Sequence, residues 1–269
     1  MIRKQKSLSL GPGERDKMRE ACQFNAALLD YVRPHVKQGV RTEEIDRLIY
    51  DYTREHGHTP ACLGYPGEKD PFPKSCCTSV NEVICHGIPG DYELQEGDIV
   101  NVDLTTIVDG WFGDQSETFV IGEASDEARQ VTQCAFDSLY LAIEAIEPEC
   151  LISVIGQTIV AEAAKYDFGV VDKYVGHGIG RNFHQRPNIP HVPTRESQRQ
   201  RLHVGMCFTI EPMINVGTAD ASPTESDGWT VLTADRKLSA QFEHTILMTE
   251  DGPEILTKTQ DGPKPGHKF

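Results

Sequence analysis

The chain has 269 residues, of which 38% are hydrophobic and 25% charged, and a formal charge of −15. That length is enough for one large domain or two small ones with a sizeable core, and the acidic excess argues against a nucleic-acid partner, whose phosphates call for clustered Lys and Arg. No segment approaches the roughly 18 apolar residues of a membrane span, and the N-terminus lacks the apolar run of a signal peptide, so a cytoplasmic protein with no membrane partner is expected.

Residues 13–37 place Met18, Cys22, Leu29 and Val32 on one face of a predicted helix. A second is predicted from Thr42 as N-cap, with Ile45, Leu48, Ile49 and Tyr52 at helical spacing. After the loop-rich ACLGYPGEKDPFPKSCC comes VNVDLTTIVDGWFGDQS, from Val100 to Ser116, which reads as a hairpin turning at Asp109-Gly110. With Val108 opposite Trp111, Asp103 faces Ser116 and Asp114 lies two places along the same strand. Even offsets stay on one face, so two carboxylates converge, about 7 to 8 Å apart as diagonal neighbours. Like charges on an apolar hairpin are costly unless one is protonated, a cation lies between them, or one is exposed at an edge.

Ser125 opens another predicted helix (Val131, Ala135, Leu139, Ala142, Ile146), Ser153 a further one ending near Tyr166, and strand-like segments fill most of 171–250. The order helix, helix, strands thus occurs twice. It predicts an α+β fold, an antiparallel sheet with helices on one face. The expected organisation is an N-terminal extension 1–12, one catalytic domain 13–252 and a polar, mobile tail 253–269. Eight cysteines without CxxC pairs read as reduced thiols.

Later stretches add to the hairpin. MCFTIEPMINV alternates so that Cys207, Thr209 and Glu211 share a side, and QFEHTILMT does the same with Gln241, Glu243 and Thr245. Each places a glutamate within an otherwise apolar strand, which seldom happens without a partner for the charge. GHGIGRNFHQRP supplies His177 and His184, and NEVICHGIPG supplies His86. Four carboxylates with an imidazole and no cysteine cluster suit a pair of divalent ions such as Mn²⁺, Fe²⁺ or Co²⁺ better than a structural zinc.

Six stretches in order, ACLGY, NEVICHGIP, VNVDLTTIVDGWFGDQSETF, GHGIGRNFH, FTIEPMIN and SAQFEHT, make the chain from about Asp16 to Thr249 resemble the prokaryotic-type class I methionine aminopeptidases. The resemblance implies the pita-bread fold: a curved antiparallel sheet in pseudo-two-fold halves with helices on its outer face. It also implies that Asp114 and Glu243 bridge two divalent ions (Co²⁺, Mn²⁺ or Fe²⁺), that Asp103 completes one and that His177 with Glu211 completes the other. Glu211 would also pass on a proton. His86 and His184 would meet the nitrogen and the oxygen of the scissile amide. Cys62, Tyr65, Cys77, Phe183 and Trp229 would take the methionine side chain, and Asn81, Val83 and Ser239 a monovalent cation. The implied substrates are nascent polypeptides with N-terminal Met and a small second residue, met as a monomer, with the ribosome as a further partner. An Xaa-Pro aminopeptidase or dipeptidase would share the five ligands; a non-catalytic binding protein on this fold would lose them. One departure stands out: PGEKDPFPKS is about four residues longer than the family spacing and puts Phe72 where a tyrosine often stands, leaving open whether Phe72 lines the pocket.

Overall fold

The computed structural model describes residues 8–269; residues 1–7 of the expected N-terminal extension lie outside them. Helix α1 spans Pro12–Val32, α2 Thr42–Glu55, α3 Asp126–Ala145 and α4 Ser153–Ala163. α1 stops short of residue 37 because Pro34 has no N–H to continue the ladder, and Arg33–His35 tightens into a 3₁₀ turn. Thr42 is not the N-cap of α2. Arg41 is, its N–H donating to Glu44 Oε1 at 3.0 Å, while the Thr42 hydroxyl accepts instead from the Gly90 N–H at 2.9 Å. Ser125 does cap α3, its Oγ accepting from the Ala128 N–H at 3.2 Å. No helix among the described residues is long and apolar enough to cross a membrane.

All strand pairs are antiparallel. The hairpin Ile99–Val108 and Trp111–Val120 has the expected register, Val108 opposite Trp111 and Asp103 opposite Ser116. Asp109 and Gly110 both take positive φ, 50° and 80°, as a two-residue turn of this hand requires. Cys76–Val80 pairs along Ile99–Val108, setting Cys77 beside Asp103. In the second half the strand order is Gly252–Ile255, His244–Thr249, Cys207–Ile210, Gly176–Gly178, Gln185–Ile189. The strands of 171–250 are shorter than expected, with irregular stretches such as 190–200 and 216–230 between them.

Glu211 and Glu243 lie at breaks between strands rather than inside them. Cys207–Ile210 pairs with His244–Thr249, and beyond the break Met213–Asn215 pairs with Ser239–Gln241. Glu211-Pro212 and Phe242-Glu243 therefore face each other at one seam. Pro212 cannot donate to a ladder, which interrupts the pairing there. The freed amides find other acceptors: Glu243 N–H reaches Ser116 O at 3.0 Å and Glu211 N–H reaches His191 Nε2 at 3.2 Å.

Each helix pair covers one half of the sheet. Leu28, Leu29, Ile45 and Ile49 pack on Val100, Val102 and Leu104 of the hairpin half, and Val131, Phe136, Ile155 and Ile159 pack with Phe208, Ile210 and Ile246 in the other.

The segment expected to be a mobile tail is instead part of the body. Gly252–Ile255 is a strand paired with His244–Thr249. Leu256 N–H donates to Thr245 O at 2.9 Å, the buried Thr257 hydroxyl contacts His244 Nδ1 at 3.0 Å, and Phe269 packs edge-on to Phe136 at 5.4 Å. Polar composition hid these few anchoring side chains. Ending the chain at Ile255 should therefore destabilise it by about 3 kcal/mol or more in urea unfolding, from loss of the buried Leu256 and the Thr257 bonds together; a change below about 1 kcal/mol would mean that the anchors contribute little.

Candidate active site

A cavity of about 260 Å³ between the two halves of the sheet is lined by the polar Asp103, Asp114, His177, Glu211 and Glu243, by Cys62, Tyr65, Phe72, Cys77, Phe183 and Trp229, and by His86 and His184. The hairpin contributes Asp103 and Asp114 through its two-residue period; the seam contributes Glu211 and Glu243. His177 enters on the short strand Gly176–Gly178, its N–H held by Thr209 Oγ1 at 3.0 Å.

Neutral donors orient the acids. Thr105, paired opposite Asp114 in the hairpin, donates to Asp114 Oδ1 at 2.6 Å. Thr209 donates to Glu211 Oε1 at 2.8 Å, and Gln241 Nε2 lies 3.4 Å from Glu211 Oε2. His177 Nδ1 contacts Gly178 O at 3.2 Å, so Nδ1 carries the proton and Nε2 presents a lone pair. That lone pair faces Asp114 Oδ2 at 3.5 Å and Glu211 Oε1 at 3.7 Å. A neutral imidazole cannot donate to either oxygen through Nε2. One ligand atom each from Asp114, His177 and Glu243 lies within 4.8 Å of the others, a separation that one cation could span.

Removal from water, which penalises the charged form, dominates the electrostatics. Burial raises the Asp103 carboxyl to about 7. Burial and the neighbouring acids push Asp114, Glu211 and Glu243 well above the usual carboxylate range. Burial, aided by His184, lowers His177 to about 3 and His86 to about 4. Donors that are all acceptors, with no Lys or Arg among the cavity's lining residues, fit a divalent metal.

The rest of the lining is soft and aromatic. Cys62, Phe72 and Cys77 form a buried cluster with Tyr65, Phe183 and Trp229 packed against it. The Cys77 thiol is hydrogen-bonded to Cys62 and buried, which holds it well above its ordinary value and keeps it un-ionised. Phe72 lines the cavity. Tyr65 hydroxyl lies 2.9 Å from Nδ1 of His184, which stands exposed at the mouth. His86 takes φ 58° and meets Trp229 edge-on at 6.2 Å.

Asn81, Val83 and Ser239 lie apart from this cavity. Asn81 O accepts from the Ser239 N–H at 2.9 Å and Val83 pairs with Leu232, while the buried Ser239 hydroxyl has no hydrogen-bond partner. Sequence reasoning did not single out Thr105 or His191 for the site, nor give Thr209 and Gln241 a part in it. For the last two the signal was the alternation that puts them on the same side as Glu211 and Glu243.

The sequence profile described as Metallopeptidase family M24 matches residues 16–250. Methionine aminopeptidase A of Synechocystis sp. is 51% identical over 245 residues, 91% of this chain and 94% of that protein. The crystal structure of methionine aminopeptidase from Rickettsia prowazekii superposes with a TM-score of 0.88 at 43% identity, covering 93% of this chain and 99% of that one. The prolidase from Pyrococcus horikoshii shares the fold, at TM-score 0.74 with 18% identity, and this chain covers 64% of it. Profile, relatives and fold agree with the acid-lined, thiol-walled cavity: the chain belongs to metallopeptidase family M24 and, within it, to the methionine aminopeptidases.

Proposed function

We propose that this aminopeptidase removes the initiator methionine from nascent proteins whose second residue is small, and that Asp103, Asp114, His177, Glu211 and Glu243 would hold two divalent ions. The observation that carries the reading is the His177 Nε2 lone pair facing two buried carboxylates beside a wall of thiols and aromatic rings. Bound there, divalent ions would supply Lewis acidity and draw the pKa of a water toward ~7.

The chain's own groups supply the rest. Glu211, its oxygens oriented by Thr209 and Gln241, takes a proton from the attacking water and passes it on. In this reading the Tyr65 hydroxyl, 2.9 Å from His184 Nδ1, is the donor, which leaves the ring proton on Nε2 to be given to the carbonyl oxygen as it gains charge. His86 meets the departing nitrogen. Cys62, Tyr65, Cys77, Phe183 and Trp229, joined by Phe72, enclose the thioether, which sulfur and ring edges suit. Ser239's unpartnered hydroxyl beside Asn81, with Val83 close by in the chain, supports the monovalent-cation assignment. The working unit in this reading is a cytoplasmic monomer, residues 13–252 carrying the site, that meets its substrates near the ribosome.

Metal-stripped protein reconstituted with Mn²⁺, Fe²⁺ or Co²⁺ should release Met from Met-Ala-Ser and leave Met-Ile-Ser and Ala-Pro-Ser intact. Cleavage of the Pro peptide alone would reassign the chain to the Xaa-Pro enzymes. Asp103→Ala and Glu243→Ala should lose metal and turnover together, and near-wild-type activity in either would defeat the ligand assignment. Tyr65→Phe keeps the ring and loses the hydroxyl, so kcat should fall roughly 10-fold or more with KM nearly unchanged, as for a contact made only in the transition state; a rise in KM alone would make Tyr65 a wall residue only.

The raised carboxyls also set a sign for pH. Asp103 moves from an ordinary 3.8 to about 7 on folding, so its contribution to the stability of the metal-free protein is fully present below 3.8 and is lost as pH rises through 7. A divalent ion must displace those protons. Titrating Mn²⁺ into weakly buffered protein at pH 6 should acidify the solution, and the release should shrink as pH rises past the Asp103 value; binding without proton release at pH 6 would show that the acids are already ionised.

A further inference from the structure

The extra residues between Tyr65 and Phe72 leave the fold and return through one closed base: Phe72 N–H donates to Tyr65 O at 2.9 Å and Gly64 N–H to Phe72 O at 2.8 Å. The excursion 66–71 lies against Trp229. Asp70 O accepts the indole N–H at 3.1 Å. At Gly67 a Cβ would fall 2.5 Å from the indole and 2.4 Å from Asp70 O, so only glycine lets the backbone approach the ring this closely. Phe72 meets the indole edge-on, 5.1 Å between centroids at 85°. From the other side Asp227 Oδ1 accepts the Trp229 N–H at 2.8 Å and the Thr230 N–H at 2.9 Å. The backbone N–H and the indole N–H are thus held by Asp227 and Asp70, neither of which lines the cavity, while Trp229 itself does.

We infer that residues 66–71 form a strut that fixes Trp229 as the cavity's wall and so sets how closely the cavity grips the first side chain of the substrate. Gly67 and Asp70 are positioning residues that act through Trp229. The inference rests on the reading that this cavity takes the methionine side chain, and it gives the lengthened loop a part in specificity.

Two variants test it. Deleting Glu68–Pro71 leaves Pro66-Gly67 to span the closed base, and Gly67→Ala crowds both the indole and Asp70 O, breaking their contact with the loop's length unchanged. The chain has two tryptophans, and Trp111 is 2% exposed, so acrylamide quenching of emission reports Trp229. In both variants of the metal-loaded enzyme, quenching should rise about twofold and KM for Met-Ala-Ser roughly tenfold with kcat within about twofold, the signature of lost side-chain binding. Leu-Ala-Ser should be discriminated against less than by the wild type. Unchanged quenching and unchanged KM in both variants would overturn the strut, as would a fall in kcat alone. If wild-type enzyme releases no Met with any metal, the functional reading fails, while quenching still decides whether the loop holds Trp229.

Discussion

The constraint on which this molecule turns is the repulsion among four carboxylates withdrawn from water around one point, beside an imidazole that offers them a lone pair and no proton. Such a group is tolerable only if protons or cations neutralise it, and the protein has provided no Lys or Arg among the cavity's lining residues to do so. The architecture supplies the acids in two ways. A regular hairpin gives Asp103 and Asp114 by its period alone. An interrupted sheet gives Glu211 and Glu243, each at a point where one ladder has ended and the next has not begun.

That interruption explains why the second pair can point into the same space as the first. A glutamate inside a continuous ladder is fixed to one face by its neighbours; at the seam the backbone is tied to Ser116 and His191 instead. The Ser116 bond joins the second half of the sheet directly to the hairpin, so the two sources of acid are locked to each other. Neutral hydroxyl and amide groups then engage one oxygen of Asp114 and both of Glu211, orienting the remaining lone pairs without adding charge. A charged partner would have aimed them equally well and would have cancelled the affinity for a cation.

Much of this was legible because it depends on local periods. The register of the hairpin, its turn at Asp109-Gly110, the cap at Ser125 and the buried stripe of α1 all follow from spacing and propensity, and the structure has them. What depends on distant partners was not legible. Thr42 resembles an N-cap by type, yet its hydroxyl is drawn to Gly90, nearly fifty residues away in sequence. The glutamates read as mid-strand because alternation continues across a break that Pro212 and the crossing of two ladders create together. The last residues read as a loose tail because three apolar or buried side chains among many polar ones carry no periodic signal. Thr105 was invisible for a similar reason: a threonine in a strand is ordinary until the residue opposite is known to be an acid.

Tyr65 belongs to two jobs at once. Its ring forms part of the wall with Phe183 and Trp229, and its hydroxyl meets the imidazole of His184 at the mouth. In the function proposed above, recognition of the first side chain and handling of the carbonyl oxygen are therefore joined through one phenol. Evolution or engineering that sought room for a bulkier first residue by trimming this position would give up control of the imidazole along with the bulk. Cys62, Cys77 and Phe72 belong to the same wall without carrying a hydroxyl for the histidine, so drift in side-chain preference across related enzymes should accumulate at those three positions while the tyrosine stays.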